Sequence, residues 1–95
     1  MPTIETAPEV VEADAGYTGR YATVIFNNDT NSFDEVVLAI MRATGCSLQE
    51  AYMETWEADH YGKANIHFGT QVACCAVAAI VSQIGVRTLV QPEWD

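Results

Sequence analysis

The sequence predicts an α+β fold: a two-layer sandwich in the order β-α-α-β-α-β, with a three-stranded sheet and three helices. Three observations carry that prediction. Tyr21–Phe26, YATVIF, is a β-branched and aromatic run suited to a strand buried on at least one face. Two capping boxes follow in succession, Ser32 with Glu35 and Ser47 with Glu50, each opening a stretch of helical periodicity. Residues 64–68, ANIHF, then alternate at period two, which marks a second, half-buried strand with Asn65 and His67 on its wet side. The two-helix hairpin returns the chain, so the second strand runs opposite to the first. The third strand, reached through a single helix, runs parallel to the second.

Taken in order, residues 1–19 hold Glu5, Glu9, Glu12 and Asp14 without Lys or Arg and with few large apolar side chains. They are expected to form a flexible acidic extension to a core domain of residues 20–95. The first strand ends in the polar turn FNNDTNS, residues 26–32. Behind Ser32, Phe33, Val36, Val37, Ile40 and Met41 recur at helical spacing, and Gly45 supplies the left-handed stop. Leu48, Ala51, Tyr52 and Thr55 or Trp56 make the apolar stripe of the second helix, which should fade near His60, before Gly62. Gly69 and Thr70 cap the third helix, whose expected packing face is Val72, Cys75, Ala76, Ala79 and Ile80 and whose stop is Gly85. Residues 86–90 form the last strand, ended by Gln91 and Pro92.

Composition narrows the function. A formal net charge of −9 with four Lys and Arg cannot neutralise many phosphates, so nucleic acid and anionic membranes are poor partners and a cationic partner is favoured. No apolar run approaches the roughly 20 residues of a membrane span, and the first 20 residues lack a signal peptide's apolar core, so a cytoplasmic location is expected. The three cysteines read as small hydrophobes, and neither they nor His60 and His67 have zinc-site spacing; no metal or cofactor is expected. There is no phosphate-cradling glycine loop, no G-x-S-x-G and no H-E-x-x-H. Asp29 with His60 is an acid–base pairing of the kind any short chain offers, and the chain is expected not to be an enzyme.

The polar turn has two readings. Asn and Asp side chains bond nearby backbone, so FNNDTNS can be a plain connector between a strand and a capped helix. The other reading comes from what surrounds it. Asn27-Asn28-Asp29 ends an apolar strand, and Phe33 and Val36-Val37 follow on the first helix. Gly45-x-Ser47-x-x-x-Ala51 spans the helical turn, and Trp56-Glu57 leads to Gly62-Lys63-Ala64, all without a gap. Over residues 21–91 the sequence thereby resembles the Clp protease adaptor family (ClpS). These are small cytosolic proteins that recognise N-terminal degradation signals, or N-degrons, and hand their bearers to a Clp-type AAA+ unfoldase. The family's fold is the same β-α-α-β-α-β sandwich.

The resemblance implies that Asn27 and Asp29 hold the α-ammonium of a substrate protein, with a third ligand at the end of the second helix. Asp59 stands there in the gapless alignment, and His60 would follow from one gap. An ammonium has three donors and one charge, which suits an amide oxygen beside a carboxylate. Phe33, where the family commonly has a gating Met, matches the pocket for a bulky apolar first side chain, together with Val36, Thr55, Ala58 and, from the last strand, Thr88. Gln71 and Ala76 align with the family's charged, unfoldase-facing residues, and both charges are absent. The acidic extension fits the family's N-terminal extension, which takes part in delivery. The plainer alternatives are Phe33 as core, His60 as a solvated helix end, and a diverged interaction domain that keeps only the fold.

Overall fold

A computed structural model describes residues 7–93; residues 1–6 of the expected extension and 94–95 of the expected core lie outside the described residues. The elements are β1 (Glu9–Val10), β2 (Tyr21–Phe26), α1 (Phe33–Thr44), α2 (Leu48–Tyr61), β3 (Lys63–Gly69), α3 (Gln71–Ser82) and β4 (Thr88–Pro92). From β2 onward the order is the expected one. The sheet has four strands rather than three, ordered β1-β4-β2-β3. The additional strand comes from the acidic segment: Glu9 and Val10 pair in parallel with Leu89 and Val90. Arg87 fastens it, its Nε 2.7 Å from Glu9 Oε1. A two-residue strand shows no periodicity and Glu is disfavoured in strands, so local sequence could not announce it. β2 is antiparallel to both β3 and β4, which therefore share a direction, as the helical-hairpin argument required.

The helix ends follow their caps. Ser32 Oγ accepts from the Glu35 N–H at 3.2 Å while Glu35 Oε1 accepts from the Ser32 N–H at 2.9 Å, a reciprocal cap worth about 1 kcal/mol. Gly45 ends α1 at φ 74° and Gly62 ends α2 at φ 89°, a region that glycine enters without steric cost. Ile25, Val37, Ile40, Ala51, Ala58, Ile66, Val77 and Val81 join sheet and helices in one core.

Burial departs from the expected pattern where tertiary packing decides it. α3 buries Cys74, Val77, Ala78, Val81 and Ser82, not the expected face, and Val72 is 80% exposed. QVACCAVAAIVS is apolar almost all round, so its spacing offers two faces and the sheet selects between them. In α2 the buried residues are the small ones, Ala51, Thr55 and Ala58, while Leu48, Tyr52 and Trp56 are exposed. In β3, Thr23 pairs with His67 but Val24 with Asn65, leaving Ile66 as an extra residue. That bulge breaks the alternation, and Phe68 lies outward beneath the Arg20 guanidinium, 5.1 Å from its ring centre. β4 begins two residues later than expected and runs to Pro92, opposite Tyr21. β1 pairs only as far as Val90, so β4 is an edge at Pro92, where a missing N–H is tolerated.

Candidate functional site

The site is built around the turn from β2 to α1. Asn28 Nδ2 donates to Asn31 Oδ1 at 2.9 Å and to the Gly85 carbonyl at 3.3 Å, and Asn28 Oδ1 accepts from the Asn31 N–H at 3.1 Å. Asn31 Nδ2 donates to the Ile84 carbonyl at 2.9 Å. Two asparagines thus bolt the turn to the connection between α3 and β4. The backbone N–H of Asn27 donates to the Gly62 carbonyl at 2.9 Å, which ties the start of the turn to the end of α2. The side chains of Asn27 and Asp29 are exposed.

Between this turn, α1 and α2 lies a narrow cavity of about 60 Å³. Six of the residues expected to form a site line it: the polar residues Asn27 and Asp59, and a largely apolar set, Phe33, Val36, Thr55 and Ala58. Thr55 belongs to the apolar set because its hydroxyl donates within the helix, to the Ala51 carbonyl at 2.8 Å. The Phe33 ring is half-buried and rests against Tyr52, with ring centres 4.9 Å apart.

Asp29, His60 and Thr88 are not among the lining residues. Asp29 sits on the exposed part of the turn, and Thr88 is fully buried in β4. His60 follows Asp59 by about 100° of helix rotation, and its Nδ1 lies 3.9 Å from Asp59 Oδ2. Its ring stacks on Trp56 at 3.9 Å, and its Nδ1 lies 3.0 Å from the Trp56 carbonyl oxygen, to which it donates when that nitrogen carries the proton. On α3, Gln71 Nε2 donates to both carboxylate oxygens of Glu12 at 3.1 Å, and Ala76 is exposed. Asn28 and Asn31, explicable as turn chemistry alone, also line the cavity. The signal for them was their spacing of three, which lets each side chain reach the other's backbone or amide.

The sequence pattern of the family described as ATP-dependent Clp protease adaptor protein ClpS matches residues 17–88. The chain belongs to the ClpS family. Among solved structures it is similar to Agrobacterium tumefaciens ClpS2 bound to L-phenylalaninamide, with a TM-score of 0.75 covering 81% of this chain and 100% of that one. At 14% identity that likeness speaks for the ClpS fold. The chain is also similar to the E3 ubiquitin-protein ligase UBR1 of Homo sapiens, 36% identical over 55 residues, and to that of Mus musculus, 34% identical over 55 residues. The matched stretch is 58% of this chain and 3% of each ligase. ClpS proteins are adaptors, and the general role of adaptor follows from membership. No helix among the described residues is long and apolar enough to cross a membrane.

Proposed function

We propose that this ClpS-family chain binds the free N-terminus of proteins with a bulky apolar first residue and delivers them to a Clp-type AAA+ unfoldase. The observation that supports the reading best is one cavity joining an amide and a carboxylate, Asn27 and Asp59, to the apolar walls of Phe33, Val36 and Ala58. An N-terminal residue presents the matching pair, a three-donor cation next to a side chain. The neighbouring Asp29 carboxylate adds negative charge at the rim of the same turn. Asp59 is favoured over His60 as the third ligand because it lines the cavity while His60 stacks on Trp56. The compound bound to ClpS2, L-phenylalaninamide, has the same two features, an α-amine and an aromatic side chain.

The test compares a Leu- or Phe-initiated peptide with its N-acetylated form. Loss of a charge-assisted set of hydrogen bonds should weaken binding by at least about tenfold; equal affinities would overturn the ammonium site. A second reading, a diverged interaction domain, draws on Gln71 and Ala76, which lack charge at the unfoldase-facing positions, with Gln71 engaged by Glu12 instead. Failure of both peptides to bind the folded domain would select it.

A further inference from the structure

We propose that the flank of α2 bearing Leu48, Tyr52 and Trp56 is a docking strip for the second and third residues of the bound N-terminal segment, and that it favours segments with Lys or Arg there. The proposal rests on the reading of the cavity just given and adds a sequence requirement to it.

The three side chains recur every four residues and so lie along one line of the helix. They remain 60%, 54% and 40% exposed, while small residues, Ala51, Thr55 and Ala58, fill the helix's inner face. The strip is continuous with the cavity. Tyr52 packs on Phe33, and Asp59, three residues from Trp56, contributes to the cavity wall. The indole is also held in place, stacked on His60 and met edge-on by Tyr61 at 5.9 Å, so a ligand need not order it.

Distance and charge decide the occupant. An extended segment advances about 3.3 Å per residue and one helical turn about 5.4 Å. From a first residue seated in the cavity, the next two therefore span the step between Tyr52 and Trp56. α2 carries Glu50, Glu54, Glu57 and Asp59 and no Lys or Arg, and elsewhere Arg20 and Arg87 are paired with Glu93 and Glu9. A cation over the indole face that His60 leaves open gains from the ring quadrupole, and the carboxylates of α2 add their attraction.

Three otherwise identical peptides beginning Leu-Lys, Leu-Ala and Leu-Glu test this by titration against the full chain and its Trp56→Leu and Trp56→Gln variants, with folding checked by circular dichroism. The wild type should bind Leu-Lys about three- to fivefold tighter than Leu-Ala, the size expected of an exposed cation–π contact. In both variants that preference should fall below about 1.5-fold, whatever they do to Leu-Ala affinity itself. A general attraction of Lys to an acidic protein would survive in the variants, so an unchanged preference there overturns the strip. So does the absence of any preference in the wild type. Either result leaves the cavity reading standing, whereas failure of all three peptides to bind overturns both.

Discussion

Within one six-residue turn, Asn28 and Asn31 reach into the protein while Asn27 and Asp29, interleaved with them, stay exposed. The first pair anchors the turn to Ile84 and Gly85 through bonds of 2.9 and 3.3 Å. Asn27 contributes its backbone N–H to the fold, through Gly62, and its side-chain amide makes no hydrogen bond among the described residues. The difference teaches how so polar a segment can be rigid. Each inward amide satisfies a part-buried carbonyl, which fixes the backbone from which the outward groups project, and a fixed acceptor binds a cation without first being ordered.

The largest effect should come from the outward pair. Replacing both Asn27 and Asp29 by Ala should cost about 100-fold or more in affinity for a Leu-initiated peptide, since hydrogen bonds to a charged group are each worth about 1.5–3 kcal/mol. The melting temperature should hold within about 2 °C, because exposed side chains carry little stability. Calorimetric titration with a parallel melt checks both, and a large loss of stability would break the division between the pairs.

Asn28→Ala should show the opposite profile. It removes the acceptor for the Asn31 N–H and a donor to Gly85, leaving part-buried groups unpaired at about 1–3 kcal/mol. For a chain of this size that lowers the melting temperature by several degrees. Below the melt, peptide affinity should fall only modestly, by about threefold, a loss of roughly 0.65 kcal/mol.

The pair at the end of α2 sharpens the comparison further, because Asp59 and His60 are adjacent yet face the cavity and Trp56 respectively. Asp59→Asn should weaken peptide binding about five- to tenfold by removing a charge near the ammonium, whereas His60→Ala should change it less than about twofold. Equal losses from the two would move the ammonium out of the cavity.

Much of this was legible in the sequence where the signal is local. The Ser32–Glu35 box, the Gly45 stop and the α1 stripe are set by residues within one or two turns of each other, and the structure keeps them. What was illegible depends on partners far along the chain. β1 exists because β4 and Arg87 receive it, the α3 face is selected by the sheet, and the Ile66 bulge slips the strand's alternation. The site divides in the same way. Asn27, Phe33, Val36, Thr55 and Ala58, which the family resemblance singled out, line one cavity, whereas Asp59 and His60 differ by a rotation of about 100° that adjacent letters do not show.

The smallest effect belongs to a polar side chain of neither kind. Glu54 is half-buried in α2, its Oε1 has no hydrogen-bond partner among the described residues, and its pKa is pushed up to about 7, first by burial and then by Glu50 and Glu57. Its folded pKa lies above the unfolded value of 4.5, so between those two pH values the folded protein holds more protons than the unfolded one. The associated stability is fully present below about pH 4.5, is lost as pH rises to about 7, and is constant beyond. Glu54→Gln should therefore stabilise the protein at pH 8 relative to wild type and leave it unchanged at pH 4. The gain should be no more than about 1 kcal/mol, because half-exposed charges are screened by water. Paired melts at the two pH values read the difference directly. An equal shift at both would mean that the carboxylate is relaxed in its place and that its lone Oε1 carries no electrostatic cost, leaving the exposed and anchored classes of the turn as the two that matter.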